Sequence, residues 1–555
     1  MVSKFATHEV FNQSPAFENI NLFTSDAALG EAVERGDGGA AKGRLAAFGA
    51  TCGSAEAFER GRLANEFPPR LKTFDAKGNR LDIVEFHPAY HECMSLSVRE
   101  GLHCSAWDYL ATQGAGPQPG ANVARSAGCY MAIQMEAGHQ CPITMTNAAV
   151  PALLVQPDIA RDWVPKILSR EYDKRFLPAA QKSGVTIGMG MTEKQGGTDV
   201  RANTTTATAA GAGGPGGEYL INGHKWFMSA PMCDAFLVLA QAPKGLSCFL
   251  VPRVLADGSV NGLRLQRLKD KLGNKSNASS EVEFQDAHGW MLGEEGRGVP
   301  TIIEMVTCTR LDCAVASSGL MRLALANAIH HCRHRSVFGK HLVEQPLMTQ
   351  VLADLALDVE AATALSFRLA ASFDRVGDER EMAWRRLMTP VTKYWVCKLG
   401  PAMAYEAMEC LGGNGYIEEG LAARVYRELP VNAIWEGSGN VMALDLLRVL
   451  QREPETLSIV LGDLAAGAVG DPRLKAQLAR IETMLQEPRL LDRRGRALTE
   501  ALAVLAAASL LRAHAPAVVA DAFIASRLAG APRQTYGQGL ESADTGAIVD
   551  RAYPA

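Results

Sequence analysis

No C-x-x-C pair occurs among the 12 cysteines of this 555-residue chain. Its absence disfavours a zinc ribbon or a thioredoxin-like site, and the scatter of cysteines from Cys52 to Cys410, often within apolar runs such as "LSCFLV", disfavours a disulfide framework. They read as reduced core residues. A Walker A sequence is missing, and no G-x-G-x-x-G follows a convincing strand and opens a helix. No run of 18 or more apolar residues suggests a membrane span, and "MVSKFATHEVFNQSPAF" lacks the charged, apolar, small-residue order of a signal peptide. The expectation is a cytoplasmic protein with no membrane partner. His87 with His91, and His330 with His334, have helical spacing, but Pro88 interrupts the first pair and Arg333 and Arg335 crowd the second with positive charge, so no metal site is expected. A net charge of -4 and a pI near 6.3 do not mark a nucleic-acid binder by composition.

What is present is an ordinary globular composition, 47% hydrophobic and 21% charged, in a chain long enough for more than one domain. The pattern changes along it. Residues 1–187 form an N-terminal extension and a mostly helical part, broken by polar turns such as "DAKGNR". Residues 188–293 switch to short β-rich pieces, "NTTTATA", "EYLINGHKWFMS", "AFLVLAQA", "SCFLVPRV" and "SEVEFQDA", with "GAGGPGGE" as a hairpin connection. Residues 294–450 return to long helical patterns such as "LADLALDVEAATALSFRLAASF", and residues 451–555 add a further helical region rich in Ala and Leu. The expected fold is mainly α with an inserted β-barrel and an extra C-terminal helical domain.

"NAIWEGSGNVMALDLLRVLQR" places a carboxylate, Glu436, between Trp435 and a Gly-Ser-Gly turn that precedes an amphipathic helix, with Ser438 or Asn440 as candidate cap. On its own this is either a solvated loop carboxylate or a catalytic base. "IGMGMTEKQGGTDV" opens the β segment, where Gly188 and Gly190 permit close backbone approach and Thr192 and Thr198 offer hydroxyls. "GHKWFMS", "RSVFGKHLVEQ", "MECLGGNGY" and "IWEGSGN" follow in order.

This ordered set resembles the acyl-CoA dehydrogenase flavoprotein family, and "VFNQ", "EFHPAYH", "CPITMT" and the region after Arg452 resemble its AidB-like branch, associated with the adaptive response to DNA alkylation. The resemblance implies FAD, a homotetramer, and an N-terminal helical domain, β-barrel and C-terminal helical bundle. It also implies site residues. Met189, Gly190, Met191, Thr192 and Thr198 would meet the flavin, with Trp226, Phe227 and Ser229 on the next strand and Ile434, Trp435, Ser438 and Asn440 around the carboxylate. Arg335, Phe338, Gly412 and Gly413 would reach the diphosphate and adenosine across a subunit boundary, where a guanidinium suits a phosphate. Two positions depart from the family pattern: Glu409 stands where glutamine is usual, and Gln345 falls one position early, before Pro346. In this family a carboxylate in the W/Y-E-G loop removes the α-proton of an acyl thioester while hydride leaves to the flavin, which implies Glu436 as base. Other members carry the base before an arginine in a helix, a position held here by Thr309 before Arg310.

Arginine is frequent and lysine scarce beyond Arg452, and "EPRLLDRRGR" concentrates Arg489, Arg493, Arg494 and Arg496, with Arg512 further on. Neighbouring acidic residues nearly balance them, so a solvated helical face remains open beside a phosphate-docking one. The resemblance implies that this region binds double-stranded DNA. The leading expectation is an FAD-containing protein that binds duplex DNA and protects it from alkylation, with weak acyl-CoA dehydrogenase activity of the isovaleryl-CoA type. The alternatives are a catabolic short- or branched-chain acyl-CoA dehydrogenase without DNA binding, and a flavoprotein scaffold with neither activity.

Overall fold

The computed structural model describes residues 5–529 and 534–554. The N-terminal part packs helices Ala27–Arg35, Lys42–Cys52 and Ala55–Glu66 on Ala121–Met135, and Pro88–Glu100 beside α1 (Gln140–Leu154); Ala121–Met135 and α1 are almost wholly buried. "DAKGNR" is a turn as expected, but the segments it joins are an antiparallel hairpin of β1 (Arg70–Phe74) and β2 (Arg80–Glu85) where helix was expected. Alternation of buried and exposed residues in "RLDIVE" is the period-two signal that was missed, and the Asp75 carboxylate accepts bonds from the amides of Lys77 and Asn79 to close the turn.

The β module has β3 (Ile187–Gly190), β4 (Thr206–Ala209), β5 (Glu218–Ser229), β6 (Ala235–Ala242), β7 (Gly245–Pro252), β8 (Leu263–Leu268) and β9 (Ser279–Leu292). Strands β6, β4, β5, β9 and β7 close on one another as a barrel, β3 pairs with β6 in parallel, and β8 adds to β9. "GAGGPGGE" connects the antiparallel pair β4 and β5 as expected. Strand β8 was not foreseen, because arginine and glutamine in "LRLQRL" hide two buried leucines, Leu263 and Leu265.

The C-terminal bundle is built from α2 (Gly298–His334), α3 (Pro346–Asp374), α4 (Glu379–Cys410), α5 (Leu421–Asn432) and α6 (Gly439–Arg452). Ser438 does occupy the N-cap of α6, but its side chain makes no capping bond, and Asn440 lies inside the helix, so the expected side-chain cap is absent. Helices Pro454–Gly467 and Pro472–Leu485 and α7 (Leu491–His514) follow, α7 packing on α3, α4 and α6. Contrary to the sequence reading, the stretch Pro488–His514 is long and apolar enough to cross a bilayer; 56% of that window is buried inside the fold, so it serves as a core helix. All 12 cysteines are free and buried. Of the histidine pairs, His87 caps a helix, His91 meets the Tyr172 hydroxyl, and His330 and His334 bond to backbone carbonyls.

Buried ions tie the layers together. Arg125 and Asp312 form a two-bond pair at 2.8 and 2.7 Å, joining the N-terminal helices to α2. Breaking such a pair from one side typically costs about 3–5 kcal/mol. A second network joins the N-terminal helices to the loop before β9 and to α5. Burial pushes the Glu136 carboxyl up, but His139 and Ser276, with the backbone amide of His139, outweigh it and hold the group at about 2. Glu428 on α5 accepts the Asn274 amide with both oxygens at 2.9 Å, and burial, followed by the nearby Glu136 charge, raises it to about 7.

The folded protein thus holds a proton on Glu428 that the unfolded chain releases from about pH 4.5 upward. A raised carboxyl contributes stability below its unfolded pKa and loses it as pH rises through the folded one. The advantage in melting temperature of the wild type over Glu428→Gln should therefore shrink between about pH 4.5 and 7. Parallel curves in thermal denaturation across that window would reject this role.

Candidate active site

The loop between α5 and α6 carries Glu436 with φ 59°, a left-handed conformation that costs a non-glycine residue about 1 kcal/mol. Three hydrogen bonds from two side chains hold it there. The buried ammonium of Lys393 on α4 donates to the carbonyls of Trp435 at 2.7 Å and Gly437 at 2.5 Å, and Arg310 Nε on α2 donates to the carbonyl of Glu436 at 3.0 Å. Arg310 is fixed in turn by Asp445 on α6 at 2.6 Å. Gly437, with φ 106°, lets the chain pass where a Cβ would stand 2.6 Å from Met442.

The Glu436 side chain is not solvated freely. Thr309 Oγ1 donates to Glu436 Oε2 at 2.8 Å, so the two sequence positions at which the family places its base meet in space. Burial raises the Glu436 carboxyl above its ordinary range, partly offset by the Thr309 bond and by the charges of Lys393 and Arg310. Facing it is Cys141 on α1, whose thiol is pushed up to about 12 by burial, eased by a hydrogen bond to Ser229 and raised further by the Glu436 charge. Cys141 therefore stands between the β-barrel motif and the carboxylate.

The β motifs are joined by a buried ion pair. Glu193 lies 2.7 Å from Lys225, and its carboxylate also accepts from Thr204 and Thr205; burial pulls Lys225 down to about 8 against the opposing pull of Glu193. Trp226 donates its amide to the Thr192 carbonyl at 2.8 Å, which seats the loop carrying Met191, Thr192 and Thr198 beside β5. Gly190 ends β3, after Met189, with a Cβ position 3.2 Å from Lys225. Along β5, Phe227 is 49% exposed, Trp226 carries Lys269 3.2 Å above its ring, and Ser229 meets Ser279 at 3.2 Å. The indole nitrogen of Trp435 is buried with no acceptor among the described residues, and Ile434 is 66% exposed. An orphaned buried donor and uncovered apolar side chains beside these hydroxyls fit a flat, polar-edged cofactor.

A second group is built elsewhere. Arg335 ends α2 and donates to the Asn12 carbonyl at 2.5 Å, Asn12 pairs with Ser336 through its amide, and Gln13 meets Asn414 at 3.2 Å. The "VFNQ" segment thus links "RSVFG" to the glycine turn. Phe338 at the hairpin tip is 98% exposed, and a Cβ at Gly412 or Gly413 would meet nothing within 4 Å, so these residues face open space on the chain.

The five C-terminal arginines do not form one free cluster. Arg489 and Arg493 are exposed, whereas Arg494 pairs with Glu487 at 2.9 Å. Arg512 donates to the carbonyls of Gly467 and Val469, satisfying the end of helix Pro454–Gly467. Arg496 is exposed and reaches the Tyr394 hydroxyl and Asn440. Sequence reasoning missed Lys393, Asp445, Cys141 and the Glu193–Lys225 pair. Glu193 and Lys225 lay inside motifs already singled out; Lys393 carried no local signal.

Residues 12–174 match the adaptive response protein AidB N-terminal domain, 188–287 the acyl-CoA dehydrogenase middle domain and 296–451 the acyl-CoA dehydrogenase C-terminal domain. AidB of Escherichia coli (strain K12) is 48% identical over 518 residues, covering 93% of this chain and 94% of that protein. Acyl-CoA dehydrogenase family member 11 of Caenorhabditis elegans is 30% identical over 452 residues, covering 77% of this chain and 70% of that protein. Among solved structures, Caenorhabditis elegans ACDH-11 in complex with C11-CoA superposes with a TM-score of 0.83 at 26% identity, over 100% of this chain and 94% of that one. With the three domains matched in order, the chain belongs to the AidB-like branch of the acyl-CoA dehydrogenase family.

Proposed function

We propose that this protein oxidises an acyl-CoA thioester with Glu436 as the base, and that its C-terminal region binds duplex DNA without sequence preference and limits alkylation damage. The Thr309–Glu436 contact supports the first part most directly: a carboxylate of raised pKa, held by a hydroxyl and turned by two cations on its backbone, can take a proton near neutral pH. Bound FAD supplies the two-electron acceptor. The isoalloxazine would lie against Met189, Gly190, Met191, Thr192, Thr198, Trp226, Phe227, Ser229, Ile434 and Trp435, with Ser438 and Asn440 toward the diphosphate. Arg335, Phe338, Gly412 and Gly413 would serve the adenosine of a second copy in a homotetramer. For the DNA surface, exposed Arg489 and Arg493 are the candidates, supported by the AidB resemblance.

Acid precipitation of the purified, yellow protein should release FAD for mass analysis; finding FMN instead would overturn the cofactor assignment. Glu436→Gln should keep the flavin but slow its reduction by any accepted acyl-CoA about 10²- to 10⁴-fold in anaerobic stopped flow, the usual cost of losing a general base. Thr309→Val removes a bond that favours the charged carboxylate, so the base pKa should rise further. The acid limb of the rate against pH should then move upward by about one unit, since a hydrogen bond to a charged group is worth about 1.5–3 kcal/mol and one unit is about 1.4. Unchanged rates in the first variant, or an unmoved acid limb in the second, would reject the assignments.

Duplex DNA binding should weaken with salt at a slope in log K of about -0.9 per phosphate neutralised. Arg489→Ala with Arg493→Ala should reduce that slope by about 2 and lower affinity alike for unrelated sequences. Fluorescence anisotropy over a salt series tests it. No binding by the wild type at low salt would favour the catabolic dehydrogenase.

A further inference from the structure

Arg496 sits in the same short stretch as Arg489 and Arg493 and is exposed like them, yet its head group has partners of its own. From α7 its Nε donates to the Tyr394 hydroxyl at 3.2 Å and its Nη1 approaches Asn440 Oδ1 at 3.5 Å, with the guanidinium carbon 5.8 Å from the Tyr394 ring centre. Lys398, one turn along α4 from Tyr394, brings its ammonium to 5.6 Å from the centre of the same ring. It also lies against the backbone at Gly439, where a Cβ would be 2.5 Å from Lys398 Cε and 3.1 Å from Nζ.

Neither cation has a carboxylate partner among the described residues. Instead they face each other: Lys398 is pulled below its ordinary pKa by partial burial, then by the charges of Arg496 and Lys393. Lys398 and Arg496 are both exposed, and two neighbouring cations from two helices repel, a repulsion that an anion between or beside them would relieve. The third wall is Asn440, a neutral amide that can donate to an oxygen while Arg496 does the same. Two phosphate oxygens offered to a fork-shaped donor are the chemistry that guanidinium recognises best.

We infer that Arg496, with Lys398, binds an organic diphosphate beside Asn440, and that this diphosphate is the one in the FAD dinucleotide. The inference rests on the proposed placement of Ser438 and Asn440 toward the cofactor. It moves Arg496 from the DNA surface to the cofactor, so the additional C-terminal region completes the flavin site of the family core as well as carrying exposed arginines.

The test is titration of the flavin-free protein with FAD and with FMN, read by quenching of flavin fluorescence, together with DNA anisotropy and KM for an accepted acyl-CoA. Arg496→Ala should weaken FAD at least about 10-fold. Affinity for FMN, which lacks the adenylate half, should stay at the wild-type level, and so should DNA affinity; Arg496→Lys should restore part of the FAD affinity. Lys398→Ala should weaken FAD in the same direction, which guards against a folding defect peculiar to one variant. An unchanged FAD affinity in Arg496→Ala, with weaker DNA binding, would return Arg496 to the DNA surface and overturn the inference. Unchanged FAD affinity with a raised KM would assign the diphosphate to coenzyme A and overturn it equally. An equal loss of FAD and FMN would show a general disturbance of the site and also reject it. Failure of DNA binding in the wild type would sink the DNA reading and leave this one standing.

Discussion

The Lys393 ammonium, buried on α4, is the interaction on which the site depends. It holds two carbonyls on either side of Glu436 and so fixes the peptide planes that bracket a left-handed residue. A glutamate does not adopt that backbone unaided; the loop stays because a charge with no carboxylate partner in its hydrogen-bond set is satisfied only by those carbonyls. Arg310 adds the third hold and is itself anchored through Asp445 to α6, the helix that the loop feeds. The geometry of one carboxylate is therefore set by three helices of the bundle, α2, α4 and α6. Rigid elements hold a reactive group more tightly than a loop can by itself.

The barrel meets this clasp across a narrow front. Cys141 on α1 is bonded to Ser229 at the end of β5 and feels the charge of Glu436 on the loop, so side chains from the helical N-terminal part, the barrel and the bundle influence one another there. Its thiol is kept neutral by burial, which makes it a packing surface next to a carboxylate and not a competing nucleophile. Arg125 with Asp312, and the Glu136 and Glu428 network, brace the same three parts away from the chemistry.

Much of this was legible in the sequence because the relevant signals are short-range. The strands "EYLINGHKWFMS" and "AFLVLAQA" coincide with β5 and β6, and the motifs in order carried the family. The hairpin after Phe67 and strand β8 were not legible, since each is too short or too polar for its alternation to stand out from turn residues. Glu436 was singled out from its neighbours, but what positions it was invisible: Lys393 is 43 residues earlier, and helix periodicity says which face is buried without saying which carbonyl a buried lysine reaches. The arginine cluster shows the limit most clearly. Neighbouring letters in "DRRGR" meet different surroundings, Arg493 left to solvent, Arg494 paired with Glu487 and Arg496 bonded to Tyr394 at the surface, because successive residues on a helix are about 100° apart.

Helix α7 has one more implication, for how such a chain could have grown. A helix long and apolar enough for a bilayer now covers faces of α3, α4 and α6 that a chain without it would present to water. Once alanines and leucines on both sides had adjusted to that cover, the appended segment ceased to be a removable ornament. Deleting it would require many simultaneous reversions to polar residues on three other helices, none of which is advantageous while the cover is present. Accretion of this sort works as a ratchet: an addition that begins as neutral packing becomes obligatory through the surfaces that relax beneath it.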